Sequence, residues 1–256
     1  MLNKPLVTEY DQYRRQFLHK VTAVASVAAL APGLILHEAH ANTDTSSDKQ
    51  GLSNQVRLGL LIDTNKLKDG GVACVKACQQ EHGWGHESAS NEQQKAQWVR
   101  VIKATEKSTQ RVTRFPVMCQ HCETAPCVDV CPTGASFKRD DGVVLVDKHT
   151  CIGCRYCMMA CPYKARSFVH EPLTDQLAHS PRGKGTVESC NLCVHRVDEG
   201  KLPACVEASE GAIIFGDLND DSSTISQTLK TATSTQLRAD LGLNTGARIF
   251  VNVMMA

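Results

Sequence analysis

The apolar and polar positions along the chain predict short strands set around cysteine-rich loops. Val56 to Asp63 is an almost unbroken apolar run and predicts a strand. Gly142 to Asp147 and Gly211 to Gly216 predict two more, the first leading into a cysteine group and the second leading out of one. The repeating unit is strand, cysteine loop, helix. Glu171 to Ser189 carries Pro172, Pro181, Gly183 and Gly185, which predicts a surface loop. Residues 217 to 256 have no cysteine; Ser222 to Thr231 predicts a helix, and the segment as a whole is expected to wrap the outside or dock on a partner.

The remaining apolar run, Val21 to Leu36, has a different character. Arg14 and Arg15 precede it, and Ala39-His40-Ala41 follows with the small-residue pattern of a cleavage site. The run falls short of the roughly 18 to 20 residues that span a bilayer, so residues 1–41 read as a cleaved export signal, with an uncleaved anchor as the alternative. The arginine pair resembles the twin-arginine signal, which carries proteins already folded around their cofactors and predicts a periplasmic location for residues 42–256. Export after folding suits metal-binding thiols, which an oxidising compartment otherwise converts to disulfides.

Composition sharpens this. The 256 residues carry a formal charge of +1, and removing the signal leaves 24 basic and 24 acidic side chains. That balance gives no bulk attraction to nucleic acid. The sequence also shows no nucleotide loop, no H-E-x-x-H pair and no nucleophile set beside a base, so an electron-transfer subunit without its own substrate site is expected. Thirteen cysteines stand against 5% aromatics.

Cys151, Cys154, Cys157 and Cys161, followed by Pro162, form the C-x2-C-x2-C-x3-C-P run of bacterial ferredoxins. In that pattern three thiolates surround one [4Fe–4S] cubane and the fourth reaches a neighbouring one. Cys119, Cys122, Cys127 and Cys131, before Pro132, repeat it with two extra residues in the second gap. Exchange of fourth ligands gives Cys119/Cys122/Cys127/Cys161 and Cys131/Cys151/Cys154/Cys157. Zinc knuckles and disulfides also use C-x2-C pairs, but a third cysteine three residues on and a fourth before proline are cubane features, and an odd total sits poorly with a disulfide framework.

Two incomplete groups flank this pair. Cys190, Cys193 and Cys205 lack a partner where Ser209 stands; Cys74 and Cys78 lack partners where Lys68 and Gly71 stand. The exchange rule assigns Cys78/Cys190/Cys193/Cys205 to a third cluster and all three missing ligands to a single lost site. Three [4Fe–4S] clusters on twelve cysteines are therefore expected, with Cys74 left as a small buried hydrophobe.

With the export signal, the four groups in this order, and segments such as Cys119-Gln120-His121-Cys122 and Pro203-Ala204-Cys205-Val206-Glu207, residues 54 to 216 resemble the electron-transfer subunits of the dimethylsulfoxide-reductase type. Within them the chain looks most like the exported iron–sulfur subunit of the membrane complex associated with dissimilatory sulfite reductase. The resemblance implies an α+β fold of two ferredoxin-like units related by a pseudo-two-fold, with loop insertions, a C-terminal extension and clusters in a row. It also implies an integral membrane quinone-reactive subunit and an exported multihaem cytochrome c as partners. A second reading is the small subunit of a periplasmic molybdopterin oxidoreductase, or of a nitrite or polysulfide reductase system; a third is a non-redox metal scaffold. Near the ligands, Arg155, Lys164 and Arg166 could raise cluster potentials or be merely solvated. His121 could donate to a cluster or carboxylate or be a spacer, and Gly153 could admit a cubane or serve a turn.

Overall fold

The structure, a computed structural model, describes residues 55–85, 94–105, 110–174 and 176–250. The expected signal at 1–41 lies outside them. Among the described residues no helix is long and apolar enough to cross a membrane.

Short helices and small sheets alternate, as an α+β chain should. The apolar run predicted at 56–63 is β1 (Leu58–Asp63). Leu60, Leu61 and Ile62 are all buried, so the strand is covered on both faces, which is why its sequence runs apolar instead of alternating. It is followed by α1 (Val72–His82), a hairpin of β2 (Arg100–Thr105) and β3 (Val112–Val117), α2 (Pro126–Asp129), and the paired strands β4 (Ser136–Lys138) and β5 (Val144–Val146). Then come α3 (Tyr156–Ala160), the pair β6 (Ser167–Phe168) and β7 (Val187–Glu188), α4 (Val194–Val197), α5 (Ala204–Glu207), β8 (Ile213–Asp217), α6 (Thr224–Thr231), β9 (Ser234–Thr235) and β10 (Ala247–Phe250). The expected strands at 142–147 and 211–216 are thus β5 and β8, and the expected helix at 222–231 is α6, capped by the Ser223 hydroxyl accepting from the Ser226 amide.

Two expectations are corrected. The end of the chain does more than wrap the outside: β10 pairs parallel with β1, Leu60 opposite Ala247, and antiparallel with β9, so the four-stranded sheet runs β8-β1-β10-β9 with β10 inside it. The loop expected at 171–189 ends in β7 and contains a buried ion pair. Arg182 donates to both carboxylate oxygens of Glu188 at 2.9 and 2.7 Å, and Glu188 is 0% exposed. Proline and glycine marked the turns of this segment but not the charges that pull it inward.

The helices that carry cysteines pack in two pairs, α1 with α5 and α2 with α3. Cys74, Cys78 and His82 are the buried residues of α1; a spacing of four puts them on one stripe facing α5. α1 begins at Gly71, whose φ of 95° favours glycine and whose Cβ, were there one, would lie 2.5 Å from Pro116 Cδ on β3.

Candidate metal centre

The twelve cysteines predicted as ligands fall into groups. Cys119, Cys122, Cys127 and Cys161 together line one narrow pocket, closed by Ala125, Val144, Pro162 and Tyr163. Cys127 comes from α2 and Cys161 from the residue that ends α3, so the packing of these helices brings the fourth sulfur to the other three. Cys78 on α1, Cys190 and Cys193 before α4, and Cys205 on α5 form a second group whose thiols raise one another's pKa. In the third group the described contacts join Cys157 to Cys151. Cys131 is held by the Ser136 amide at 3.3 Å and the Thr133 hydroxyl at 3.7 Å, and Cys154 stands exposed at the surface.

All thirteen cysteines are free thiols. Burial, ahead of any neighbour, pushes Cys78, Cys119 and Cys122 up to about 12, and carries Cys190 and Cys205 well above the usual thiol range. Mutual repulsion adds to this: Cys127 and Cys161 act on both Cys119 and Cys122. At Cys131, partial burial works upward but the hydrogen bonds from Ser136 and Thr133 prevail and lower it. Four thiolates collect in one dry pocket only if a strong cationic centre compensates them. Buried thiols gathered in groups, four of them lining one pocket, and the absence of any disulfide fit [4Fe–4S] chemistry.

Further groups are already turned toward these sulfurs. Trp84 Nε1 donates to Cys78 Sγ at 3.2 Å, and His82 Nε2 lies 3.2 Å from Cys193 Sγ while its Nδ1 lies 3.0 Å from the Ser180 hydroxyl. Burial, reinforced by His195, lowers the His82 pKa to about 3, so the ring is neutral, and the tautomer with Nε2–H gives both contacts a donor and an acceptor. The amides of Val187 and Leu192 approach Cys151 and Cys190 at 3.5 Å. Such donors favour the more negative, reduced state.

The residues singled out near the third group separate cleanly. Arg166 is buried and donates from Nη2 to Cys127 Sγ at 3.1 Å, and it also bonds Cys157. Arg155 instead sits 3.9 Å over the Phe168 ring, and Lys164 is exposed. His121 accepts the Val144 amide at Nδ1, 3.0 Å, which leaves its ring proton on Nε2; that atom is buried with no partner among the described residues. Burial first, then Arg166, lowers the His121 pKa to about 4, so the ring is neutral and its Nε2–H has no carboxylate acceptor among the described residues. Gly153 meets a packing demand: at φ 70° its missing Cβ would fall 2.2 Å from the Gly185 carbonyl oxygen. Gly153→Ala is expected to cost about 1–3 kcal/mol, read as a lower urea midpoint of the metal-loaded protein.

The positions thought to mark a lost site are occupied in other ways. Lys68 pairs at the surface with Glu210 at 2.6 Å, Gly71 opens α1, and the Ser209 hydroxyl donates to the Val206 carbonyl at 2.7 Å and accepts from the Ile213 amide at 2.9 Å. Cys74 is wholly buried, its thiol pushed up to about 11 by burial first and the Asp69 charge second.

The groups follow one another. Cys119 is among the thiols that raise the pKa of Cys190, and Cys127 is among those that raise Cys157. The order is therefore Cys78/Cys190/Cys193/Cys205, then Cys119/Cys122/Cys127/Cys161, then the loop of Cys151 to Cys157. A cleft of about 380 Å³, walled by Trp98, Lys148, His149, Pro181 and Asn191, reaches Cys190 at one end. At the other, Cys154 emerges among Ile152, Tyr156 and Met159, which are 67%, 54% and 68% exposed. The cysteine-free tail covers the middle: Gly246 donates to the Gln120 carbonyl at 2.9 Å, and the Glu123 amide donates to the Asn244 carbonyl at 3.2 Å. Sequence reasoning missed this cover and the donors Trp84 and His82. The only local signal was an aromatic pair just after Cys78, which spacing rules do not weigh.

Comparison with known proteins agrees with this geometry. Residues 110–218 match the family described as a 4Fe-4S dicluster domain. The Hdr-like menaquinol oxidoreductase iron-sulfur subunit 1 of Archaeoglobus fulgidus is 36% identical over 90% of this chain and 94% of its own. A tetrathionate reductase subunit of Salmonella typhimurium is 35% identical over 86% of this chain and 79% of its own. Protein NrfC of Escherichia coli is 35% identical over 90% and 91% of the two chains.

Proposed function

The chain belongs to the family of iron–sulfur electron-transfer subunits that contain a 4Fe-4S dicluster domain, and on that premise we propose that it is a relay carrying three [4Fe–4S] clusters. The ligand sets are Cys78/Cys190/Cys193/Cys205, Cys119/Cys122/Cys127/Cys161 and Cys131/Cys151/Cys154/Cys157, in two ferredoxin-like units related by a pseudo-two-fold. When bound, the clusters supply one-electron carriers whose potentials follow net charge, hydrogen bonds to sulfur and exposure. The chain's own residues set the spacing through α1–α5 and α2–α3 packing, donate to the sulfurs, and exclude water from the middle set with the tail.

The observation that carries this reading is the continuity of the three groups from the cleft at Cys190 to the surface at Cys154. Two surface approaches, one to each end, suit a subunit that accepts electrons on one side and passes them on at the other. Residues 1–41 act as a twin-arginine signal and residues 42–256 work in the periplasm. The partners are an integral membrane quinone-reactive subunit and an exported multihaem cytochrome c, as in a DsrO-type subunit of a sulfur-metabolism complex. The named menaquinol oxidoreductase relative supports the quinone side of this assignment. The tetrathionate reductase relative keeps a second reading in play, the small subunit of a catalytic reductase complex.

Anaerobically purified protein is expected to hold about twelve irons and about twelve acid-labile sulfides per chain, four of each per cubane. About sixteen would mean that a fourth cluster is held with Cys74, and the lost-site reading would fall. Zinc in place of iron would overturn the relay.

A further inference from the structure

Two arginines are buried among the described residues, and one of them lacks a carboxylate partner. Arg182 pairs with Glu188, as the less buried Arg139 does with Asp141 and Asp198. Arg166 is 5% exposed and has no carboxylate partner among the described residues. Its neighbours are sulfurs: Nη2 donates to Cys127 at 3.1 Å, Cys157 accepts a second bond, and Cys119 adds to the local charge. Nε and Nη1 are buried with no hydrogen-bond partner. A guanidinium cannot shed its proton, and a buried unpaired cation is costly, so the site demands an anion that the protein's carboxylates do not provide.

The outer set is differently equipped. Its sulfurs face the Trp84 indole and the His82 ring rather than a guanidinium. The cation nearest Cys193, Arg196, is balanced by Glu81 and Glu207 at 2.9 and 2.5 Å.

We infer that Arg166 is a shared counter-charge for the two inner sites, one ligand of each being hydrogen-bonded to it, and that it raises both inner potentials above that of the Cys78/Cys190/Cys193/Cys205 site. The inference rests on the three-cluster reading. Because the guanidinium is planar and forked, it contacts Cys127 and Cys157 at once. The consequence is a built-in slope: one electron passes from the outer site, which is oxidised, to an inner site, which is reduced, with no bond made or broken and no proton moved. Arg166 is a positioning residue for charge, acting through ligands and not on any substrate.

The test is potentiometric titration of the holoprotein followed by electron paramagnetic resonance, with iron and sulfide counted on each sample. The signal missing from a Cys190→Ala/Cys193→Ala variant identifies the outer site. Arg166→Met is expected to keep the wild-type iron count and to lower both inner midpoints by at least a tenfold change in the reduction equilibrium, about 59 mV for one electron, with the outer midpoint unmoved. Full iron with unchanged inner midpoints, or a shift of all three sites alike, overturns the inference. If Arg166→Met loses iron, Arg166→Lys is read in its place: it retains the charge, so both inner midpoints stay within that tenfold range, and a larger fall shows that charge is not the cause. A wild-type count far from about twelve irons instead defeats the three-cluster reading, separately from Arg166.

Discussion

Replacing Cys190 and Cys193 together by alanine is expected to lower iron from about twelve to about eight per chain, with sulfide falling in step. Both sulfurs belong to a group in which Cys78 and Cys205 also lie, and two thiolates cannot hold a cubane that takes four. The inner signals persist, because the cavity lined by Cys119, Cys122, Cys127 and Cys161 draws nothing from this pair. Stability falls as well, since metal-binding free energy is folding free energy where the site exists only in the folded chain. Cys74→Ala is the matched control. Cys74 also lies beside Cys78 and Cys205, so proximity alone would make it a ligand, yet its expected iron content is that of the parent. A loss of four irons in Cys74→Ala would move it from the packing of α1 into the site.

The second large effect lies away from the sulfurs. Glu188→Gln leaves Arg182 with its charge in a place where both partners are almost sealed from water, their side chains 5% and 0% exposed. Breaking one member of such a pair costs about 3–5 kcal/mol, read as a fall in urea stability of the loaded protein by tryptophan fluorescence. Lys201 and Glu199 form a pair of similar length, 2.7 Å, with both side chains 62% exposed; Glu199→Gln is expected to leave the midpoint where it was. Because β7 carries Glu188 directly into the loop of Cys190, the damage should appear first as slower or incomplete filling of the outer site. Full iron and parental stability in Glu188→Gln would show that the pair is not an anchor for that loop.

What the sequence shows most clearly is what is local. C-x2-C spacing reports a loop that must wrap a small object, and the runs at 56–63, 142–147 and 211–216 show as β1, β5 and β8 because each is apolar along its own length. The helix at Ser222 to Thr231 is legible from its serine cap. β10 is not, since four residues gain their strand character from pairing with the distant β1 and with β9. The buried pair of Arg182 and Glu188 is hidden for the same reason: both look like ordinary loop charges until the chain folds back. Arg166 could be picked out with Arg155 and Lys164 by nearness in sequence, but only geometry separates the one facing sulfur from the one lying on Phe168 and the one in solvent. Gly153 is the reverse case. Its position inside C-x2-C suggested a cubane approach or a turn, and the fold adds a demand that spacing does not show, the close backbone of Gly185.

The placement of β10 sets a timetable. It is the last of the described strands to be synthesised, yet it lies between β1 and β9, and the residues just before it close over the loop of Cys119 to Cys122. Until those residues leave the ribosome the first strand has β8 on one side and lacks its neighbour on the other, and the middle thiols lack their cover. The delay leaves an interval in which all four sulfurs of that site are made and reachable but not yet sealed. A cofactor delivered in that interval meets open thiols, and closure of the sheet then works as a latch on a chain already loaded.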